Sequence, residues 1–311
     1  MSATAYDVIG DIHGHADKLT GLLRAMGYRE TQGVWRPPHG HQAVFIGDLI
    51  DRGPEQRQVI RIVRSMMDAG HARAVMGNHE FNAIGFVTPD PGKAGQFLRP
   101  HSDKNRNQHG EFLAQVGEGS DLHREYIEWF RTLPVTLDLG GIRAVHACWH
   151  DRHIGVIASD TDGGRLSEDF IVRAHRKGSP EHAAMDCLTK GVEIPLPEGA
   201  SFVDHADVRR TDVRTRWWLE APATFRDVAV VEAEKREQIP AVALPGDYCP
   251  LPVHGTPVFV GHYWLEGAPS LQAPRVACVD YSAAGKGPLV AYRWMGETAL
   301  DARKFVLAGE A

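Results

Sequence analysis

Three short segments constrain this chain more than anything else in its sequence: Gly10-Asp11-Ile12-His13-Gly14, Gly47-Asp48-Leu49-Ile50-Asp51-Arg52-Gly53 and Gly77-Asn78-His79-Glu80. Each closes an apolar, strand-like run, at residues 6–9, 43–46 and 74–76. Each carries side chains able to bind metal or phosphate where the strand would end. One Asp-x-His would be no more than a turn, since Asp, Asn and lone histidines are ordinary loop residues. Three such segments in this order point to a metal site for phosphate chemistry.

The segments between them read as helices. Leu19, Leu22, Leu23 and Met26 form one apolar stripe at i, i+3, i+4, i+7, and Gly27 suits the stop. After the second segment Pro54 can open a helix at its first position, and Val59, Ile60, Ile62, Val63, Met66 and Met67 carry it to Gly70. Strand, loop and helix alternate over residues 6–79, so the motifs fall at the carboxyl end of a sheet. Ligands bind there in open α/β folds because loops from neighbouring strands converge.

The remainder is less regular. From residue 81 to about 124 the pattern breaks into a polar stretch at 99–109 and a short helical piece; the stretch reads equally as a substrate rim or as a solvated loop. A helix is expected over 126–133, ending before Pro134, then a strand pair at 135–139 and 142–147 around Gly140-Gly141. Residues 150–250, rich in Pro, Gly and charge, give little pattern. Strand candidates return at 257–260, 275–280 and 289–295. The chain of 311 residues thus reads as one catalytic domain with inserts at about 85–124 and 150–250.

Composition narrows the class. Forty acidic against 34 basic residues give a formal charge of -6, which leaves no global basic footprint and no expectation of stable nucleic-acid binding. The four cysteines, Cys148, Cys187, Cys249 and Cys278, are scattered without Cys-x-x-Cys or disulfide density. Residues 1–7 run straight into the first strand, leaving no room for a signal peptide, and no apolar run approaches the ~20 residues of a membrane helix. A cytoplasmic, reducing location is expected.

Two divalent ions held close together need a shared carboxylate, with imidazole and oxygen ligands filling the other positions. The chain offers Asp11 and His13 on the first loop, Asp48 on the second, Asn78 on the third, and His146 and His262 after later strands. On an extended segment alternate side chains share a face, so Asp11 and His13 can reach one ion.

The triplet Gly-Asp-x-His-Gly, Gly-Asp-x-x-Asp-Arg-Gly and Gly-Asn-His-Glu resembles the signature of calcineurin-like metallophosphoesterases, in particular the phosphoprotein-phosphatase superfamily. The resemblance runs from residue 7 to about 80 and resumes at His146 and His262. It implies an α/β sandwich of two mixed β-sheets flanked by helices. It also implies a first ion on Asp11, His13 and bridging Asp48, and a second on Asp48, Asn78, His146 and His262. The cofactor expected is a pair of divalent ions, manganese first, with iron, zinc or nickel also suited to such ligands. Four positive charges less about three from Asp11, Asp48 and a bridging hydroxide leave the site at roughly +1 before substrate arrives. In-line attack of that hydroxide on phosphorus is then the implied reaction. Arg52 and Asn78 would hold phosphate, His79 would protonate the leaving oxygen, and Asp51 would orient the imidazole. Glu80 reads as a hydrogen-bonding residue of the loop.

Two later stretches bear on substrate. Val213-Arg214-Thr215-Arg216-Trp217 is similar to an Arg-x-Arg-aromatic segment of bacterial diadenosine tetraphosphatases, and the stretches at 259–267, 277–280 and 287–294 look like their C-terminal portion. Arg214 and Arg216 would then hold a phosphate chain, or they are two of several arginines in a basic run. Asp51 and Glu80 depart from those enzymes toward the protein phosphatases, and Ala147-Cys148-Trp149-His150 makes a bulkier wall behind His146. Cys148 there is either a soft competing ligand or a small buried hydrophobe. The main expectation is a tetraphosphatase-like hydrolase of phosphate esters or anhydrides, acting on a phosphorylated small molecule, nucleotide or phosphoprotein. A protein serine/threonine phosphatase is the alternative, and a non-catalytic phosphate-binding module would have little need of His79.

Overall fold

The runs ending in Ile9, Phe45 and Ala74 form parallel strands that are largely buried, as parallel strands are when both faces of a sheet are covered. The computed structural model describes residues 5–162, 165–203 and 208–308. The expectation concerning the start of the chain therefore lies partly outside the described residues. β1 (Ala5–Ile9), β2 (His41–Phe45) and β3 (Ala72–Ala74) run parallel, Ala5 opposite His41 and Ala43 opposite Ala72. β4 (Thr136–Asp138) and β5 (Arg143–Val145) form an antiparallel pair, and β6 (Val258–Val260) joins β5 in parallel with β7 (Val276–Cys278) beyond it. β8 (Val290–Trp294) returns to pair antiparallel with β1, and β9 (Phe305–Leu307) closes that edge. The result is one five-stranded mixed sheet, β9-β8-β1-β2-β3, and one four-stranded mixed sheet, β7-β6-β5-β4.

Alternate residues sort these sheets into layers. Val8, Val44, Ala144, Phe259 and Ala277 form an apolar layer with members from both sheets. Their chain neighbours Ile9, Phe45, Val145, Val258 and Cys278 belong to a second cluster shared with the helices. Gly10 lets the sheets close at the site, because a Cβ there would lie 2.0 Å from Val279 O.

α1 (Ala16–Ala25) buries Leu19, Leu22 and Leu23 and stops at Gly27, whose φ is +83°. α2 (Gln56–Asp68) starts two residues later than Pro54, because Pro54 lies on the turn that follows the positive-φ pair Asp51 and Arg52 and Glu55 takes the cap position. The ladder of β3 lies slightly before the expected 74–76, since Met76 N–H already leaves the sheet for Pro134 O. α3 (Asn78–Val87) starts inside the third motif.

The polar stretch is largely helix: α4 (Asp103–Val116) is capped by the Ser102 side chain and buries Phe112, Leu113 and Val116. α5 (Asp121–Phe130) starts five residues before the expected 126 because Ser120 caps it, and its last residues relax into a turn before Pro134. Between 150 and 250, which includes residues outside the described set, lie α6 (Asp151–Ala158), α7 (Glu168–Ala174) and α8 (Pro180–Lys190). A two-stranded pairing of Glu193–Pro195 with Asp212–Arg214 covers a small core of Leu196, Phe202, Val213, Phe225, Ala229 and Ile239.

Candidate metal centre and active site

The motif loops turn sharply at the sheet end. Eight non-glycine residues among those described have positive φ, and six of them belong here: His13, Asp48, Asp51, Arg52, His262 and Trp264. Such conformations cost energy and persist where surrounding contacts enforce them. Glu80 is one enforcer. Its buried carboxylate accepts N–H bonds from Asp48 (2.9 Å), Leu49 (2.8 Å) and Gly77 (2.9 Å), tying the second loop to the third. Burial and the Asp48 charge push its pKa up to about 7, and the Leu49 N–H pulls the other way.

Asp48 lies at the centre. Its Oδ1 accepts the His79 N–H at 3.0 Å, and its Oδ2 lies 3.3 Å from His146 Nε2, 3.6 Å from His13 Nε2 and 3.8 Å from His79 Nε2. His13 and His146 direct Nδ1 at the carbonyls of Ile50 (2.9 Å) and Ile46 (2.7 Å). That carbonyl contact sets an Nδ1–H tautomer and turns the Nε2 lone pair inward, the usual support for a metal-binding imidazole. Asn78 Oδ1 lies 3.2 Å from His146 Nε2.

Asp11 and His13 do not follow simple extended alternation, because His13 turns to φ 46°. Asp11 Oδ2 instead accepts the N–H of His262 at 3.0 Å, joining β1 to β6. Two groups, His13–Asp48–His79 and Asp48–His146–His262, each bring donor atoms within 4.8 Å of one another, with Asp48 common to both. Asp11 Oδ1, His13 Nε2 and His262 Nε2 are buried without hydrogen-bond partners. Buried polar atoms are almost always paired. Orphaned oxygen and imidazole atoms around one carboxylate fit a divalent cation.

The electrostatics keep His13 and His262 free of a proton, as metal ligands must be. Burial, then the neighbouring His79, hold the His13 pKa down to about 3. Burial and the Arg214 charge keep His262 well below its usual value. Burial and the Asp280 charge raise Asp11 well above the usual carboxylate range. For His146 burial works against protonation, but the Asp48 and Asp11 charges outweigh it and carry the pKa to about 10. The Asp48 carboxylate at the centre thus draws positive charge.

Beside this cluster, Asp51 holds two imidazoles: Oδ2 meets His79 Nδ1 at 2.5 Å and Oδ1 meets His109 Nδ1 at 2.6 Å. Burial would raise the Asp51 pKa, but the hydrogen bonds from His109 and His79 hold it below the usual range. For His79 burial is outweighed by the Asp48 charge and the Asp51 bond, so its pKa is raised. Arg52 is exposed, with its guanidinium 4.2 Å over the Trp264 ring. Arg214 bonds Glu193 at 3.2 Å and acts electrostatically on His262, whereas Arg216 donates to the carbonyl of Asp227 in the insert.

The model of the calcineurin-like phosphoesterase family matches residues 6–181, more than half of the chain. The chain belongs to this family. Calcineurin-like phosphoesterases are dinuclear metal-dependent hydrolases of phosphate esters and anhydrides, and this member has both candidate His/Asp groups. It is 47% identical over 169 residues to the asymmetrical bis(5'-nucleosyl)-tetraphosphatase PrpE of Bacillus subtilis, covering 54% of this chain and 65% of that one. The Bacillus velezensis protein of the same name is 27% identical over 178 residues, covering 57% and 69%. The chain thus spans about two thirds of the length of these relatives. A point mutant of a cold-active protein tyrosine phosphatase superposes with a TM-score of 0.50 at 16% identity over 96% of this chain and 81% of that one, which shows the shared fold.

Sequence reasoning missed three partners of this phosphoesterase site. His109 lay in the supposed loop, although it heads the i, i+3, i+4, i+7 stripe of Phe112, Leu113 and Val116. Asp280 accepts the N–H of Trp264 (2.7 Å) and Ser282 (3.0 Å), fixing the loop that carries His262. Trp264 supplies the face on which Arg52 rests. Cys148 is buried, its thiol held protonated by burial and by the neighbouring Cys187 thiol, in keeping with a small hydrophobe.

Proposed function

We propose that this phosphoesterase hydrolyses nucleotide phosphoanhydrides, dinucleoside tetraphosphates first among them. The carrying observation is Asp48 Oδ2, which faces the Nε2 atoms of His13, His79 and His146 from one buried position. The PrpE relatives, named as tetraphosphatases, support the substrate class. Asp11, His13 and Asp48 would hold one divalent ion, and Asp48, Asn78, His146 and His262 the other. Manganese is the proposed metal, with iron, zinc and nickel compatible with the same donors. The pair would supply positive charge for the phosphoryl oxygens and a lowered pKa for attacking water.

The chain's own residues do the rest. Arg52, steadied on Trp264, offers a bidentate fork to phosphate oxygens. Asn78 and His79 occupy the first turn of α3, whose N-terminus favours an anion. Asp51 fixes the His79 ring through Nδ1, leaving Nε2 to hand a proton to the departing oxygen. Arg214, beside His262, and Arg216, which donates to the Asp227 carbonyl, are both assigned to the phosphate chain.

We propose a single catalytic domain, supported by the Asp11–His262 bond across 251 positions of sequence. The free, buried Cys148, Cys187 and Cys278 support a cytoplasmic setting. No helix among the described residues is long and apolar enough to cross a membrane. The net charge supports no stable partnership with nucleic acid.

A serine/threonine phosphatase is the second reading, favoured by the Asp51–His79 contact. Rates on diadenosine tetraphosphate and on a phosphoserine peptide, measured side by side with Mn²⁺, separate the two. A clear preference for the tetraphosphate is expected; preference for the peptide overturns the assignment.

A further inference from the structure

Arg99 begins the polar stretch that read as a loop and lies against α3. Its N–H donates to Gly85 O at 3.0 Å, in the last turn of α3, and its side chain runs back along that helix. Nη1–H donates to Asn82 Oδ1 at 2.7 Å and Nη2–H to Gln108 Oε1 at 2.8 Å. Asn82 stands at i+3 from His79, on the same helix face and about 4.5 Å along the axis. Gln108 directly precedes His109. The guanidinium is thus bracketed by neighbours of the two histidines that hold Asp51.

Both partners of Arg99 are neutral amides, and among the described residues no carboxylate pairs with it. Other partly buried arginines do find one, as Arg293 does in Asp7 and Arg131 in Glu128. An arginine stays protonated, so a half-buried positive charge is kept within electrostatic reach of Asp51, the carboxylate that holds His79. Burial disfavours that charge, and Asp51 is the attraction that partly offsets it. The amide contacts fix the guanidinium plane and occupy two of its five N–H donors.

We propose that Arg99 binds the phosphate that departs as leaving group, which makes the site selective for phosphoanhydrides over phosphomonoesters. The proposal rests on the role given to His79 above. In the step, a water oxygen bonds to the scissile phosphorus and gives up a proton to solvent, which later reprotonates His79, while the bond from phosphorus to the bridging oxygen breaks. The bridging oxygen keeps the electron pair and takes the proton from His79 Nε2. In an anhydride that oxygen belongs to a second phosphate, whose remaining charge the guanidinium meets. An aryl phosphate has no group for it.

The test is inhibition of p-nitrophenyl phosphate turnover by tripolyphosphate and by orthophosphate, in the wild-type protein, R99Q and R99K. Loss of a charge-assisted contact should raise the tripolyphosphate Ki of R99Q about tenfold or more, with the orthophosphate Ki moving less than about twofold. R99K, a point charge without the fork, should raise the tripolyphosphate Ki by a smaller factor, and it carries the test alone if R99Q does not fold. Equal shifts for both inhibitors, or no shift for tripolyphosphate, overturn the subsite. A wild-type protein inactive on diadenosine tetraphosphate overturns the substrate reading of the preceding section, while the inhibitor comparison still decides the subsite.

Discussion

On the strand-end loops, His13, Asp48, Asp51 and Arg52 sit at φ values of 46°, 50°, 72° and 72°; on α4, Gln108 and His109 sit in a regular, Ser102-capped helix. Both regions reach the same carboxylate, since Asp51 comes from a loop and its Oδ1 partner from α4. The loops hold the candidate metal and phosphate ligands at positions that a web of buried hydrogen bonds makes tenable. The helix brings His109 to the second oxygen of Asp51 at little conformational cost. Strain is therefore concentrated where charge must be fixed, and regular structure serves where a partner need only be steadied.

Substitutions in the two regions should differ in size and kind. Asp48→Asn removes the central carboxylate and should reduce turnover of every substrate by about a thousandfold or more, some 4 kcal/mol of barrier. Retained p-nitrophenyl phosphate activity in Mn²⁺ would refute the central role of Asp48. His79→Ala should cost about 10²- to 10⁴-fold on diadenosine tetraphosphate and far less on p-nitrophenyl phosphate, whose leaving group needs little protonation. Equal losses on the two substrates would remove the proton-donor role.

On the helix side, His109→Phe should lower the rate on the tetraphosphate by about tenfold, as outer partners of a site do, and His109→Gln should restore part of it. If Phe and Gln behave alike, the contact with Asp51 Oδ1 does not act through His79. Gly10→Ala tests the closing of the sheets, because its Cβ would lie 2.0 Å from Val279 O. A loss of about 1–3 kcal/mol in denaturant unfolding is expected, with little effect from alanine at the open Gly110 beyond helix propensity.

The smallest effect lies outside the site. His175 stacks on Phe81 of α3, and burial lowers its pKa from 6.5 to about 4. The unfolded chain then binds the extra proton first, so this stability is present above pH 6.5 and is lost as pH falls through about 4. His175→Leu should flatten the pH dependence of the urea midpoint over that window; an unchanged slope would show that His175 does not contribute.

How much was legible follows the range of the interactions. The runs before Gly10 and Gly47 and the stripe of Leu19, Leu22 and Leu23 are local patterns, and their strands and helix stand close to where they were expected. α4 was hidden because its exposed face is nearly all polar, although Ser102 and Asp103 are a cap signal. Between 150 and 250 the described pieces are short, α6–α8 packing into the main core and the segments from Leu196 to Ile239 around a small core of their own, so no window carries a strong period.

By itself the sequence determined the chemistry of the strand-end loops: which carboxylates, imidazoles and amides are available, and that they follow buried strands. Spacing along the chain fixes local geometry, and those motifs are local. Only the tertiary structure decided that Asp11 would bond His262 across 251 positions, that His109 would share Asp51 with His79, and that Arg99 would reach Asn82 with no carboxylate among the described residues to pair with it. Those pairings are set by how two sheets and their covering helices pack, and packing joins residues whose separation in sequence carries no period to read.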